Sequence, residues 1–391
     1  MKYQRVWLLF LFCLSFWNIN AQHFVIEGQT NGYIPDGSIL YLGYWNGMGP
    51  TFCFTSDVVR NGTFHLEGER KKTPDLIYLY GTEKAIGTLG LRLWVGDDTI
   101  RISANSEVPE TWIVKNNMPQ QSEEDLYRQL KGKDNMVMTS RMNSRQLWDK
   151  SLSPDSIRIL SSQMIQNDLP GQIRILNNLH EQPQLTDVGL VWLFLTSAYA
   201  SWMTSSEHLR TGKETYAKLT GKQKQTYYGK LIKSCFYPNK APERGDQYID
   251  AELTDLEGNS CKLSDYLNKN KYILLDFWDQ YCAPCVKSVS GLKELASSCP
   301  DKLAIISINV GSRESWEKGS RDFLWDNLSD GQGLAGIAAR YGVKSIPFFI
   351  LIAPNGRIEE CWKGYAIHRS HMEEEIMEII LPNSSLTEAP E

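Results

Sequence analysis

The chain has 391 residues, of which 42% are hydrophobic and 22% are charged, so it is long enough for two or three globular domains. Its formal net charge is −5 at pH 7, and no stripe of basic residues interleaved with aromatic ones occurs. This charge balance argues against nucleic acid as a partner, and we predict none.

The first residues have the pattern of a secretory signal peptide. Lys2 and Arg5 precede an apolar stretch at residues 6–17, and small or polar residues follow up to Ala21. This apolar stretch is too short to cross a bilayer, so a membrane anchor is the weaker interpretation. We therefore predict a signal peptide at residues 1–21, cleaved after Ala21, and a periplasmic or otherwise secreted protein.

Residues 22–115 have the pattern of an all-β domain. Asn31-Gly32 and Asn61-Gly62 are turn signals between short runs that favour strands. The predicted strands are residues 24–27, 39–44, 63–67, 76–80 and 91–95. Residues 59–68 resemble part of a β-sandwich domain of unknown function found in secreted bacterial proteins. That resemblance implies a sandwich fold and no chemistry.

Residues 116–240 have a different character. Apolar residues at helical spacing, such as Leu126 with Leu130 and Ile157 with Leu160, favour amphipathic helices. Thr186 is typical of a helix start. We predict a helical insert or linker here, which could hold substrate or mediate dimerisation; the oligomeric state is left open. Prolines and Gly245 mark the boundary with the next domain.

The most informative stretch is residues 271–287, KYILLDFWDQYCAPCVK. Its apolar run at residues 272–278, interrupted by Asp276, suits a strand that is buried on both faces. Apolar residues at helical spacing follow the pair Cys282 and Cys285. The stretch therefore predicts a strand, a dithiol and a helix, in that order.

This order has chemical consequences for the two cysteines. Unpaired N–H groups and the helix dipole stabilise an anion at a helix N-terminus, and a thiolate is an anion. Cys282 is nearer that terminus, so we predict it to be the attacking thiol. Cys285, one turn further into the helix, is then the resolving thiol. Pro284 would lie in the first turn, where a missing N–H costs little.

At these residues the sequence resembles the thioredoxin superfamily, and most closely secreted bacterial proteins of the TlpA/ResA type. The resemblance covers residues 245–381 and rests on Asp-Phe-Trp at 276–278, the CxxC motif, and the run 341–347 that ends in Pro347. It implies a thioredoxin-like α/β domain at residues 245–385. The whole chain is thus predicted to be multi-domain, with an N-terminal β-sandwich, a helical middle segment and a C-terminal α/β domain.

The resemblance also implies roles for single residues. Asp276 resembles the buried acid that activates the resolving thiol, and Pro347 resembles the family's cis proline. The lysine that thioredoxins usually carry near this acid is replaced by Ser307. For substrate binding we predict Trp278 beside the dithiol, Tyr281 on the docking surface, and the backbone of Ile346, which could pair with an extended substrate segment.

The rest of this domain follows the family order. Residues 249–254, a turn at 255–259 and residues 262–267 resemble an N-terminal hairpin. The further predicted elements are a strand at 303–310, a loop with a helix extension at 311–336, a helix at 334–341, a strand at 357–364 and a closing helix at 369–380.

The remaining cysteines show no spacing typical of a disulfide framework. Once the predicted signal peptide, which contains Cys13, is removed, they are Cys53, Cys235, Cys261, Cys299 and Cys361. Because an oxidising compartment would allow some of them to pair, their state stays open. We favour buried free thiols.

Three other functions fit the residues less well. His368 and His371 could complete a zinc site with the CxxC motif, but zinc ligands of this kind lie in turns rather than at a helix start after a buried strand. A peroxiredoxin needs threonine where this chain has Asp279. A non-catalytic binding module would not need an intact dithiol, acid and proline.

We therefore predict a secreted thiol–disulfide oxidoreductase, with no cofactor and no metal. Because Ala283-Pro284 between the cysteines lacks the histidine of strong oxidants, we favour a reductase of protein disulfides. A reductase in an oxidising compartment would need a membrane-embedded electron donor. Disulfide isomerase or oxidase activity at the same site remains the alternative.

Overall fold

The computed structural model describes residues 22–45, 50–70, 75–81, 86–87, 89–96, 99–149, 151–200, 206–267, 271–365 and 371–381. The predicted signal peptide lies outside these ranges. Within them, no helix combines the length and the apolar character that crossing a membrane requires. A β-sandwich, a group of helices and an α/β domain follow one another along the chain, which confirms the predicted fold class.

The N-terminal sandwich consists of two four-stranded sheets with the strand orders β4-β1-β7-β8 and β3-β2-β5-β6. Alternate apolar side chains, such as Leu40 and Leu42, form the core between the sheets. The strands β3, β7 and β8 are not among the predicted strands: threonine, serine and aspartate weaken the apolar alternation of β3, β7 has only two apolar residues, and β8 is three residues long. The strands are β1 (Gln22–Gln29), β2 (Ile39–Trp45), β3 (Pro50–Val58), β4 (Thr63–Arg70), β5 (Asp75–Gly81), β6 (Leu91–Val95), β7 (Thr99–Ser103) and β8 (Ile113–Lys115).

Seven helices follow in the described part of the chain: α1 (Pro119–Lys131), α2 (Lys133–Trp148), α3 (Pro154–Glu181), α4 (Asp187–Ser197), α5 (Ser206–Lys218), α6 (Gly221–Gln225) and α7 (Tyr227–Phe236). The hydroxyl of Thr186 caps α4 by accepting the Gly189 N–H at 2.9 Å. Because α4 is apolar on nearly every side, it is buried among its neighbours.

Buried charges join the sandwich to the helices. Arg92 on β6 donates from Nε to Glu124 on α1 at 2.8 Å, and the indole N–H of Trp192 on α4 donates to the same carboxylate at 2.9 Å. Lys131 lies 3.1 Å from Glu110, which also faces Arg92. Such a network is stable only while each charge keeps its partners.

This dependence gives a testable expectation. Replacing Glu124 by glutamine should lower the free energy of unfolding by about 2 kcal/mol, because three buried donors, on Arg92, Trp94 and Trp192, lose a charged acceptor. Urea unfolding monitored by circular dichroism measures the change. Glu214→Gln is the matched control, since Glu214 pairs with Arg210 at the surface and such pairs stabilise little. Equal effects of the two substitutions would contradict the expectation.

The C-terminal domain contains a five-stranded sheet with the order β13-β12-β11-β14-β15. Its central strand β11 is parallel to β12 and antiparallel to β14. The elements of this domain are β9 (Glu252–Thr254), β10 (Ser260–Lys262), α8 (Ser264–Leu267), β11 (Tyr272–Trp278), α9 (Ala283–Ser298), β12 (Leu303–Asn309), α10 (Arg313–Gly319), β13 (Asp326–Leu328), α11 (Ile337–Arg340), β14 (Phe348–Ile352), β15 (Ile358–Lys363) and α12 (Met372–Ile380).

The two faces of β11 belong to different apolar clusters. Ile273, Leu275 and Phe277 belong to one contiguous cluster that also contains side chains of α4, α7 and α11. Leu274 belongs to a second cluster, formed with α9 and α12. This period of two is why the run at residues 272–278 is apolar without interruption except at Asp276.

Two predicted elements of this domain need correction. The second arm of the hairpin is only the short strand β10, and most of residues 262–267 form α8 instead. Asp265 accepts the Lys262 N–H at 2.8 Å, and Asp250 accepts the Ser264 N–H at 3.1 Å, so side chains replace strand pairing there. The predicted loop at 311–336 contains the edge strand β13, which is too short and polar to be recognised.

Candidate active site

The two predicted active cysteines lie at the start of α9. Cys282 is the N-cap residue and is half-buried, whereas Cys285 in the first turn is 2% exposed. They form a disulfide, and the Cys285 N–H donates to the Cys282 sulfur at 3.3 Å. The N–H groups of the first helical turn would stabilise a thiolate on Cys282. Cys282 is thus the sulfur accessible to a substrate.

Asp279 holds the loop between β11 and α9. Its carboxylate accepts the Tyr281 N–H at 2.7 Å and the Ser315 hydroxyl at 3.1 Å, and its carbonyl accepts the Cys282 N–H at 3.1 Å. Burial raises the pKa of this carboxyl. The sequence does not indicate this role, because Ser315 is 36 residues away along the chain.

Asp276 occupies the centre of the sheet and is 1% exposed. Its Oδ2 accepts a hydrogen bond from Ser307 at 2.7 Å, on the neighbouring strand β12. Its Oδ1 is buried and has no hydrogen-bond partner among the described residues. Burial raises the pKa of Asp276 to about 7, although the bond from Ser307 acts in the opposite direction. This carboxyl can therefore exchange a proton near neutral pH.

Aromatic residues pack against the buried side of the dithiol. Trp278 packs in one apolar cluster with Cys285 and Trp316. The indole N–H groups of Trp278 and Trp316 both donate to Oδ1 of Asn327, at 3.1 and 3.0 Å. Trp278 is only 1% exposed, so direct contact with a substrate does not fit its position. Its contribution is to hold the first turn of α9.

Ile346 and Pro347 lie at the end of the sheet next to this cluster. The peptide bond between them is cis. Ile346 packs against the cluster that contains Cys285, as Cys282 does. Because β14 begins at Phe348, strand pairing with β11 stops before these two residues. The Ile346 backbone is therefore at a position where a further extended segment could pair.

Tyr281 borders both the dithiol and the sandwich. It is half-buried, and the Lys318 ammonium lies 5.9 Å from the centre of its ring. It is also close to Cys53 on β3, and β3 packs near α10. The N-terminal domain therefore contributes to the surroundings of Cys282, which the sequence did not indicate.

The other cysteines of the described residues are free thiols: Cys53, Cys235, Cys261, Cys299 and Cys361. Cys299 is buried, whereas the other four are half-buried, so full burial is the wrong expectation for those four. His368 of the zinc alternative lies outside the described ranges, within which no cluster of potential metal ligands occurs.

Comparison with known proteins is consistent with this geometry. The family model described as thioredoxin-like matches residues 270–358. The thioredoxin-like protein YneN of Bacillus subtilis is 31% identical over 140 residues, which are 34% of this chain and 79% of that protein. The thiol-disulfide oxidoreductase ResA of Halalkalibacterium halodurans is 30% identical over 160 residues, which are 40% of this chain and 88% of that protein.

A solved thioredoxin domain of a thiol-disulfide oxidoreductase from Bacteroides vulgatus is 23% identical, with a TM-score of 0.32, and the match covers 36% of this chain and 99% of that domain. The family assignment depends on the two sequence relatives, since this chain spans most of the length of each. The chain belongs to the thioredoxin-like family of thiol-disulfide oxidoreductases.

Proposed function

We propose that this protein is a secreted enzyme that reduces disulfide bonds of other proteins through Cys282 and Cys285. The observation that most supports this is the position of the pair: an accessible cysteine at the N-terminus of α9, a shielded one in the first turn, and the buried Asp276 on the preceding strand. Attack, resolution and proton transfer each have a candidate group in this arrangement.

In the first step, the thiolate of Cys282 attacks one sulfur of the substrate disulfide. A bond forms between these two sulfurs, and the other substrate sulfur leaves with the electron pair and takes a proton from solvent. The N–H of Cys285, which lies 3.3 Å from the Cys282 sulfur, favours the anionic form before the attack.

In the second step, Cys285 resolves the mixed disulfide. The carboxylate of Asp276 accepts the proton of the Cys285 thiol, directly or through a water molecule. The Cys285 thiolate then attacks the Cys282 sulfur, so that the enzyme disulfide forms and the second substrate thiolate is released. Asp276 subsequently returns its proton to solvent or to the leaving sulfur. A pKa of about 7 suits both transfers.

An extended segment of the substrate would pair with the Ile346 backbone, beyond the end of β14. This would be a short addition to the sheet that places the substrate sulfur over Cys282. Tyr281 would contact the other side of the same segment. We propose Ile346, Pro347 and Tyr281 as the substrate-binding residues on this basis.

The direction of electron flow is also part of the proposal. Ala283 and Pro284 provide no side chain that stabilises the Cys282 thiolate, which favours a reductase over an oxidant. Export is proposed from the pattern of residues 1–21. An exported reductase needs two electrons per cycle from a donor, which we propose to be embedded in the membrane. A boundary near residues 240–245 separates the proposed catalytic domain from the helical region at 116–240.

The reduction potential of the Cys282–Cys285 couple tests the direction. We expect a value near or below about −250 mV, on the thioredoxin side of the range, after equilibration with dithiothreitol buffers and thiol trapping. A value near about −120 mV would reverse the proposed electron flow and indicate an oxidase. If no two-electron couple titrated, the oxidoreductase mechanism at these cysteines would be wrong. The Cys282→Ser variant is the control that should remove the couple.

A further inference from the structure

A chain of two hydrogen bonds leads into the active-site acid from a residue outside the recognised motifs. The indole Nε1 of Trp325 donates to the Ser307 hydroxyl oxygen at 2.9 Å, and that hydroxyl donates to Oδ2 of Asp276 at 2.7 Å. Ser307 and Asp276 are 0% and 1% exposed. Trp325 lies immediately before the edge strand β13, packed against the cluster on the α9 side of the sheet.

The donor directions in this chain are determined by chemistry. An indole N–H can only donate, so the Ser307 oxygen must accept from Trp325. A serine hydroxyl has a single hydrogen, and a carboxylate can only accept, so that hydrogen must point to Asp276. Trp325 thus prevents the hydroxyl from rotating away, because its N–H occupies a lone pair of the Ser307 oxygen.

This arrangement makes the two carboxylate oxygens of Asp276 unequal. Oδ2 is already occupied as an acceptor, whereas Oδ1 is buried and has no partner among the described residues. A proton that binds Asp276 therefore binds Oδ1 preferentially, since protonation of Oδ2 would compete with the bond from Ser307. Oδ1 is then the one carboxyl oxygen that binds and releases the proton.

We propose that Ser307 and Trp325 are positioning residues that fix the Asp276 carboxyl so that Oδ1 alone exchanges a proton with Cys285. This inference rests on the proposed reductase mechanism for its function, but the hydrogen-bond chain itself does not depend on the direction of electron flow. It also accounts for the absence of a lysine at position 307: a neutral, oriented hydroxyl takes the place of a charge.

No charged side chain among the described residues contributes to the raised pKa of Asp276. Across the sheet, Asp276 is flanked by Ser307 on β12 and Phe349 on β14. Lys287 and Glu294 on α9 and Arg321 ahead of β13 are exposed, and Lys293 on α9 is half-buried. On α12, which packs in the same cluster as α9, Glu373 is half-buried and accepts from the Tyr365 hydroxyl, and the other glutamates are exposed. None of these charged side chains contributes to the shift at Asp276, which arises from burial and is opposed by the Ser307 bond.

The test is the titration of the Asp276 carboxyl, followed by ¹³C NMR of labelled protein in its disulfide form. In Ser307→Ala the pKa of Asp276 should rise by about one unit above the wild-type value, because a bond to the charged form is lost. Trp325→Phe should raise it by a smaller amount, since Ser307 stays but is no longer oriented. Ser307→Thr keeps the hydroxyl and should restore the wild-type titration. Trp362→Phe is the matched control, because Trp362 packs against the same cluster from β15, at the opposite edge of the sheet, and its indole N–H donates to Glu375 instead of Ser307.

A second readout is the pH dependence of mixed-disulfide resolution. In each variant, the apparent pKa of the limb of the pH–rate profile that reports Asp276 should rise by the same amount as the pKa measured by NMR. If Ser307→Ala does not fold, Trp325→Phe carries the test, because a phenyl ring fills most of the space. Unchanged titration in Ser307→Ala and Trp325→Phe, or an equal shift in Trp362→Phe, would overturn the proposal. Shifted titrations together with no disulfide exchange by the wild-type protein would instead contradict the proposed function.

Discussion

Replacing Cys282 by serine is expected to reduce disulfide reduction to the uncatalysed background. A serine hydroxyl is not ionised near neutral pH, even at the N-terminus of α9, whereas a cysteine there is stabilised as a thiolate. Cys285 cannot take over the attack, because it is 2% exposed and cannot meet a protein disulfide. The measurement is the rate of reduction of a model protein disulfide at pH 7.

Replacing Cys285 by serine is expected to give a different defect. Attack by Cys282 remains possible, but the mixed disulfide can no longer be resolved, so the enzyme should accumulate covalently bound to its substrate. Non-reducing gel electrophoresis detects this adduct, which dithiothreitol should release. Cys261→Ser is the matched control, since Cys261 is a half-buried free thiol in the hairpin and should be dispensable. Adduct formation by Cys282→Ser rather than Cys285→Ser would show that the two roles are reversed.

Replacing Asp276 by asparagine is expected to stabilise the protein at pH 8 while slowing resolution. Burial raises the pKa of Asp276 from 3.8 to about 7, so the folded state holds its proton through a range in which the unfolded chain has lost it. The free energy of unfolding therefore falls as pH rises from about 4 to 7, and the loss is complete above the pKa of Asp276 in the folded state. A shift of this size corresponds to about 4 kcal/mol, at 1.36 kcal/mol per unit.

Urea unfolding of the disulfide form at pH 8 and pH 4 measures this effect. The variant should exceed the wild type by about 3 to 4 kcal/mol at pH 8. The difference should shrink to less than about 1 kcal/mol at pH 4, because the folded carboxyl is protonated there and the unfolded one, with a pKa of 3.8, is close to half protonated. Asp301→Asn, at an exposed turn, should change little at either pH. A variant that is less stable than wild type at pH 8 would contradict the argument. If the variant is more stable but resolves the mixed disulfide at the wild-type rate, the argument from burial holds and the proposed catalytic role of Asp276 is wrong.

The parts of the fold that depend on short-range pattern were predictable. The strand β11, the start of α9 and the alternation along β2 and β5 depend on residues adjacent in sequence, where hydrophobic period and helix-start chemistry act directly. The dithiol and its acid were found for the same reason, since Asp276, Cys282 and Cys285 lie within ten residues of one another.

The parts that depend on long-range pairing were not predictable. Trp325 reaches Ser307 from beside an edge strand of three residues, and nothing in its local sequence distinguishes it from a loop tryptophan. Arg92 and Glu124 are 32 residues apart and belong to different predicted domains. A charged side chain in a sequence is normally interpreted as exposed, so a buried pair leaves no signal until the elements that carry it are packed.

The apolar cluster that includes Ile273, Leu275 and Phe277 links the proposed catalytic domain to the helices that precede it. The two sequence relatives align with only 34% and 40% of this chain, but the aligned residues make up 79% and 88% of the relatives themselves. A domain of this kind therefore accounts for most of each relative. Here the same cluster continues through side chains of α4 and α7, so one face of the sheet is completed by residues that precede the proposed boundary. The thioredoxin-like part therefore shares its apolar core with the helical region, so removing the residues before the boundary would expose the β11 face of that core to water. The surroundings of Cys282 also include the sandwich, through the contact of Tyr281 with Cys53.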